Sequence, residues 1–220
     1  GMRRIGRDAF AGTPLTAAPG AAYLENWFLG TSDPAAPELL EGTVGIADYA
    51  FASCESFPDT VVIPDSVRYL GEGAFKGRET LINVILGSGV EEVGDSAFEG
   101  CTSLTAVRLG KQDASAEGEL GESSLRSLGE RAFYGCESLS EITMPDTLER
   151  VGVSAFEDSA LWENAGALVY AGDWAVGFKG DETLTVVTLQ DGTAGIAEYA
   201  FYGKDFLTRV DIPESVNYIG

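Results

Sequence analysis

The sequence has no histidine, and it is poor in cysteine and in basic residues. Without histidine, the commonest general base and most metal-site and triad designs are excluded. The three cysteines are an odd number and form no CxxC pair, so we expect no disulfide framework. No run of about 18 apolar residues occurs, which excludes a membrane-spanning helix.

Basic residues are scarce relative to acidic ones. Lys and Arg total 14 and Asp and Glu total 35, so the formal net charge is 14 − 35 = −21. A surface this acidic repels phosphate groups, because nucleic-acid binding depends on contacts from cations. We therefore predict no nucleic-acid partner, no anionic lipid partner and no insertion into a membrane.

Recognisable catalytic and cofactor motifs are also missing. The chain contains no GxSxG, no GxxxxGKS/T, no HExxH and no EF-hand spacing. We predict no catalytic residue, no metal site and no cofactor. One enzymatic alternative stays open, because two of the many carboxylates could meet at the separation that glycosidases use.

An internal repeat is the strongest positive feature of the sequence. A branched residue, then Gly or Ala, two variable residues and Ala-Phe recur along the chain. The copies end at Phe10, Phe51, Phe75, Phe98, Phe133, Phe156 and Phe201. The short steps, 98 − 75 = 23 and 75 − 51 = 24 residues, fall within the range of roughly 20–29 that leucine-rich repeats show. One turn cannot bury its own apolar edges, so stacked turns with a shared row of Phe side chains are expected.

The longer steps need a second explanation. The step from Phe98 to Phe133 contains a polar, Gly-rich stretch at 110–122, which we predict to be an exposed loop. The two other long steps contain similar Trp segments, around 20–42 and 165–192, and we expect each to form an irregular coil. The chain is then one domain, 1–220, of about nine coils of about 23 residues, with a short helical or 3₁₀ turn at each Ala-Phe.

Between the Phe motifs, apolar residues two apart predict an inward strand face. The residue between them must point outward. Read coil by coil, the outward residues form a predicted binding column: Val62, Ile85, Arg108, Thr143, Thr188 and Asp211. Val62 and Ile85 would add an exposed apolar patch, which can mark an interaction site. The alternative is that they are only good strand formers.

Tryptophan and cysteine supply the remaining candidates. Trp27 and Trp174 occupy equivalent places in the two long steps. Each could fill a widened coil, or the two could be exposed aromatic anchors for a partner. Cys54, Cys101 and Cys136 all lie three residues after a repeat Phe, which favours a packing position over a reactive thiol.

The full pattern, L-x-x-V-x-I-P-x-S-V-x-x-I-G-x-x-A-F-x-x-C, is matched in its first half by residues 207–220 and in its second half by 128–136. It resembles the BspA-type leucine-rich repeats of bacterial surface and secreted proteins. The resemblance implies a right-handed superhelical solenoid of the α/β horseshoe type. It also implies an extracellular or cell-surface location and, for some members, adhesion to host proteins or other cells. It carries no catalytic or ligand-binding residue.

Three functions follow as hypotheses. The first is a non-catalytic binding or adhesion module outside a bacterial cell, whose partner is a protein, such as a host extracellular protein, or another cell-surface component. The second is a structural spacer in a larger surface protein, and the third is an enzyme with an unmarked carboxylate site. No signal peptide is visible, Gly1 before Met2 resembles an expression scar, and the half-coils at both ends suggest a fragment of a longer array.

Overall fold

The computed structural model describes residues 2–17, 20–109, 122–140 and 142–220. Within these ranges the chain forms two short helices, α1 (Pro14–Ala17) and α2 (Ala160–Asn164), and many short strands. The strands are β1 (Ala21–Leu24), β2 (Trp27–Thr31), β3 (Gly45–Ile46), β4 (Thr60–Ile63), β5 (Tyr69–Leu70), β6 (Asn83–Leu86), β7 (Glu92–Val93), β8 (Ala106–Leu109), β9 (Ser127–Leu128), β10 (Arg150–Val151), β11 (Leu168–Ala171), β12 (Trp174–Phe178), β13 (Val186–Thr188), β14 (Gly195–Ile196), β15 (Arg209–Asp211) and β16 (Tyr218–Ile219). The predicted loop at 110–122 lies outside the described residues except for Glu122, which is exposed.

Parallel strands stack along two sides of a solenoid, as the repeat predicts. On one side, two-residue strands carry the branched residue of each motif, in the order β3-β5-β7-β9-β10, and β14 and β16 continue in a second sheet. On the other side lie the longer strands, as a three-stranded sheet β4-β6-β8 and a pair β13-β15. Each strand pairs with the strand one turn along, so equivalent repeat residues lie side by side.

The predicted row of Phe side chains is confirmed for five of the seven repeat Phe residues, Phe51, Phe75, Phe98, Phe133 and Phe156. Phe10 and Phe201 are not part of it, and the Phe201 ring lies 5.8 Å from that of Phe178 instead. The rings of Phe28, Phe51, Phe75, Phe98, Phe133 and Phe156 follow one another with centroids 4.7 to 5.4 Å apart. We call these six residues the Phe stack. Most of the buried apolar side chains form one continuous cluster around it, and a smaller cluster surrounds Ile196 and Ala200.

The Ala-Phe segments are consecutive β-turns and not the helical or 3₁₀ turn that the sequence suggested. The Ala50 N–H donates to the carbonyl of Ala47 at 3.2 Å, and Ala52 donates to Tyr49 at 2.9 Å. In each of the seven turns the residue before the Ala has a φ between 53° and 60°, as at Tyr49 and Ser96. A left-handed residue at this place interrupts the right-handed φ values that a helix needs.

The two Trp segments are not coils, and this corrects the count. β1 pairs antiparallel with β2, and β11 with β12, through two-residue loops at Glu25-Asn26 and Gly172-Asp173. The first residue of each loop has a positive φ, which a tight hairpin connection uses. Because each hairpin lies between two turns and adds none, the described part of the solenoid has about seven turns, one for each Ala-Phe segment, and not nine.

Candidate binding surface

Strands β4, β6 and β8 bring three of the predicted column residues side by side. Val62 pairs with Ile85, and Ile85 pairs with Arg108, in a parallel register. The alternating side chains, such as Val84 and Leu86, are buried in the core. Val62 is 43% exposed, Arg108 is exposed and Ile85 is half-buried, so all three point away from the core, as a strand periodicity of two requires.

A second outward column, which the sequence analysis missed, lies beside the first. Thr60, Asn83 and Ala106 pair across the same three strands, and the Asn83 amide donates to the Thr60 hydroxyl at 3.3 Å. The same alternation extended one step towards the N-terminus would have identified them. We call the six outward side chains the strand face: Thr60, Val62, Asn83, Ile85, Ala106 and Arg108.

The strand face is unusual for this chain in its charge. It contains no carboxylate and one arginine, in a sequence with 35 acidic residues and a net charge of −21. Ile82, which lies just before β6, is 39% exposed and extends the apolar area. A weakly charged area with branched apolar side chains is typical of the centre of a protein–protein interface.

The other three residues of the predicted column lie apart from the strand face. Thr143 is exposed in a segment that forms no strand, and Thr188 pairs with Asp211 between β13 and β15. The Thr188 hydroxyl donates to the Asp211 carboxylate at 3.3 Å, and Arg209 donates to the same carboxylate at 2.6 Å. The single predicted column is therefore two separate groups with Thr143 between them.

Trp27 and Trp174 do not form exposed anchors. They are only 5% and 2% exposed, so that alternative is wrong. Each ring stacks on a tyrosine of the adjacent turn, Trp27 on Tyr69 at 6.2 Å and Trp174 on Tyr218 at 6.0 Å. The hairpin Trp residues thus pack their hairpins against the solenoid and are not available to a partner.

The cysteines occupy packing positions, as the repeat indicated. All three are buried and free, and the Cys101 thiol donates to the carbonyl of Phe75 at 3.2 Å. Burial raises the pKa of Cys101 to about 12, so the reactive thiolate is scarce at neutral pH.

Carboxylates converge in one polar cleft of about 200 Å³ on the short-strand side. Two of them are paired with one arginine: the Arg4 guanidinium donates to Asp48 at 2.7 Å and to Glu72 at 2.5 Å. Asp48 also accepts a hydrogen bond from the backbone N–H of Glu72 at 2.9 Å. Arg4, Asp48 and Glu72 therefore form one hydrogen-bonded group in this cleft.

The repeats can now be compared with known families. The family model for the BspA type leucine-rich repeat region matches six copies, over residues 44–161 and 173–220. The chain belongs to the BspA-type leucine-rich-repeat family. Most of the chain is matched, and the gap at 162–172 coincides with α2 and β11, where the hairpin departs from the repeat.

Solved structures support the fold. A leucine-rich-repeat protein from T. pallidum is 24% identical with a TM-score of 0.55, over 88% of this chain and 77% of that protein. One from Bacteroides ovatus is 25% identical with a TM-score of 0.50, over 89% of this chain and 50% of that protein. This BspA-type chain thus spans half the length of the second. Comparison with the curated proteins gives no match.

Two further observations concern the described part of this BspA-type chain. None of its helices there has the length and apolar character needed to cross a membrane. Among the described residues, no group of three or more His, Cys, Asp or Glu side chains has an arrangement that could hold a metal ion.

Proposed function

We propose that the chain is a non-catalytic protein-binding module that acts outside a bacterial cell and binds its partner through the strand face. The observation that carries the proposal is the contrast between this face, which has no carboxylate, and a chain with a net charge of −21. Leucine-rich repeats generally serve protein interactions, and solenoids commonly bind through extended surfaces. Adhesion to a host protein or to another cell is the specific form that we propose.

The strand face supplies what a modest interface needs. Val62 and Ile85 offer apolar contact at its centre, and Thr60 and Asn83 offer hydrogen-bonding groups. Arg108 supplies one cation, and arginine is among the residues that most often dominate binding energy. A partner with an apolar patch beside a carboxylate would complement this arrangement.

Bead adhesion tests the proposal. Beads coated with the wild-type chain are applied to cultured epithelial cells, to immobilised extracellular-matrix proteins and to bacterial cells, and retained beads are counted. We expect retention by at least one of these surfaces, and loss of most of it in Ile85→Glu, because a carboxylate at the centre of an apolar contact must be desolvated.

Ala52→Glu provides the matched control, since Ala52 is exposed in a turn of the same coil as β4. It adds the same charge away from the strand face and should leave adhesion unchanged. Equal retention of wild type and Ile85→Glu would overturn the strand face as the site. Retention no greater than that of uncoated beads on every surface would overturn the adhesion function and favour the spacer.

A further inference from the structure

Arg108 is the one cation in the described part of the chain that has no partner there. The other described lysines and arginines all form ion pairs, hydrogen bonds or cation–π contacts, from the Arg68–Glu91 pair to Lys179, which donates to the carbonyl of Trp162. Arg108 makes none of these contacts with a described residue. Its side chain is exposed on the last strand of the strand face, so its five N–H donors point to solvent.

The surroundings of Arg108 on this face are apolar. Ile85 lies beside it on the neighbouring strand, Val62 lies one strand further along the same row, and the small Ala106 precedes it on β8. The strand face contains no carboxylate, so no residue of this face competes for the guanidinium. A carboxylate from a partner fits here, because the planar guanidinium binds a carboxylate through two parallel hydrogen bonds.

A single cation also determines which kind of anion fits. Polyanions, such as sulfated glycans and nucleic acids, bind through many cations at once. The strand face offers one cation, in a chain whose net charge is −21. One carboxylate flanked by apolar side chains needs no further cation, because contact with Val62 and Ile85 supplies the apolar part of the interface. The chemistry therefore favours an acidic residue on an otherwise apolar surface of a partner protein.

The spacing along the row indicates how that partner surface is built. Neighbouring strands lie about 4.8 Å apart, so Val62 and Arg108, two strands apart, are separated by roughly 10 Å. On an α-helix, residues i and i+4 share one face, and residue i+7 lies about 10.5 Å from residue i along the axis. Residues on one side of an extended strand recur about every 6.7 Å, which matches neither one step of the row nor two.

We propose that the strand face binds an amphipathic helix of a partner protein. Its apolar residues at positions i and i+4 contact Val62 and Ile85, and an aspartate or glutamate at i+7 pairs with Arg108. This inference rests on the proposed binding function of the strand face and names the chemistry of its partner. Because the net charge of −21 by itself attracts basic partners, a preference for an acid at one position is a specific signature of Arg108.

Selection from a helix-display library tests the proposal. Phage that display a single-helix scaffold with one randomised face are selected on the wild-type chain. Clones that still bind Ile85→Glu are discarded, so that only strand-face binders are sequenced. We expect several-fold enrichment of Asp or Glu at i+7, with Leu, Ile or Val at i and i+4. On Arg108→Glu the same selection should replace the acid by Lys or Arg, because the pairing charge is reversed.

Arg126→Glu is the matched control for the selection. Arg126 pairs with Glu149 and lies directly before β9 on the short-strand side, so the same change of charge there should leave the selected acid in place. Strand-face binders without an acid at i+7, or an acid that persists on Arg108→Glu, would overturn the inference and leave the strand face as a binding site. A selection that yields no clone dependent on Ile85 would overturn the strand face itself.

A selected peptide then measures the pairing directly. By fluorescence anisotropy, Arg108→Gln should raise its dissociation constant about tenfold or more. Arg108→Lys should raise it less, because lysine keeps the charge without the two-point geometry. Replacing the acid of the peptide by its amide should weaken binding to the wild type by a similar factor and add little in Arg108→Gln, as a direct pair requires. Additive losses would overturn the pairing.

Heparin beads test the polyanion alternative. We expect no retention of the wild-type chain at physiological salt, because one cation does not offset its net charge. Retention of the wild type that is lost in Arg108→Gln would assign Arg108 to a polyanion and would overturn the helix proposal.

Discussion

Among the charged residues, Glu99 is held by both of the turns around it. Its side chain is 15% exposed and pairs with Lys76 at 2.9 Å and with Arg131 at 3.0 Å, one from the turn before and one from the turn after. Burial alone would raise the pKa of Glu99, but hydrogen bonds from Ser96 and Lys76 and the charges of Lys76 and Arg131 outweigh it. The net result is a pKa below the usual value, so the ionised carboxylate stabilises the fold.

Replacing this carboxylate should flatten the pH dependence of stability. Because the folded-state pKa of Glu99 is depressed, its contribution is present above the unfolded value of about 4.3 and is lost as pH falls through the folded value. We expect Glu99→Gln to lower the free energy of unfolding by about 1 kcal/mol at pH 7. We also expect this variant to lose less stability than the wild type as the pH falls below about 5. Urea unfolding at a series of pH values measures both.

Glu149→Gln is the control for that series. Glu149 is 45% exposed and, within the described ranges, forms an ion pair with Arg126 only, so its replacement should change stability little. Identical pH profiles for wild type and Glu99→Gln would contradict the role assigned to Glu99.

At the scale of elements, the two hairpins depend on glycines that admit tryptophan rings. A Cβ on Gly45 would lie 2.6 Å from the ring of Trp27, and one on Gly195 would lie 2.6 Å from the ring of Trp174. Each hairpin is also tied to the loop after it, since Leu40 N–H donates to the Tyr23 hydroxyl and Gln190 N–H to the Tyr170 hydroxyl, both at 3.0 Å. The same device therefore holds both hairpins against the solenoid.

Gly195→Ala should displace the second hairpin. The added methyl forces the Trp174 ring from its place, and overpacking of this kind costs about 1–3 kcal/mol. We expect faster hydrogen exchange in β11 and β12 and a red-shifted tryptophan emission as the ring gains solvent. Gly166→Ala is the control, because a Cβ at this position would have no atom within 4 Å. The stability of this variant should match that of the wild type. Unchanged exchange in β11 and β12 of Gly195→Ala would contradict the packing role of Trp174.

The sequence predicts the repeated elements well and the inserted ones poorly. The row from Phe51 to Phe156 could be predicted because each turn places the same residue type at the same position in the core. The hairpins could not, because Tyr23 and Trp27 fit a coil pattern as well as a strand pair, and only the loop residues Glu25-Asn26 and Gly172-Asp173 distinguish them. The sequence also did not predict that Arg108 and Thr188 lie in separate sheets. A single column of outward residues requires a strand in every turn, and the turn with Thr143 forms none.

For the molecule as a whole, stability is a sum over neighbouring turns. The ring of Phe98 stacks on Phe75 at 5.0 Å and on Phe133 at 5.3 Å, so one residue supports two interfaces between turns. Phe201 lies outside the Phe stack, half-buried, with its ring 5.8 Å from that of Phe178. In a nearly one-dimensional array, loss of a residue that supports two interfaces between turns weakens both of them.

Position along the solenoid should therefore decide what the same substitution costs. We expect Phe98→Ala to lower the free energy of unfolding by about 3–5 kcal/mol, the range for a fully buried phenylalanine, and Phe201→Ala by about half as much. Hydrogen exchange in dilute solution should show faster exchange at the Phe75 and Phe133 amides in Phe98→Ala, since these N–H groups donate to the following turn. In Phe201→Ala those two amides should keep wild-type protection. Equal costs at the two positions would contradict the role assigned to Phe98, whose ring supports two interfaces between turns.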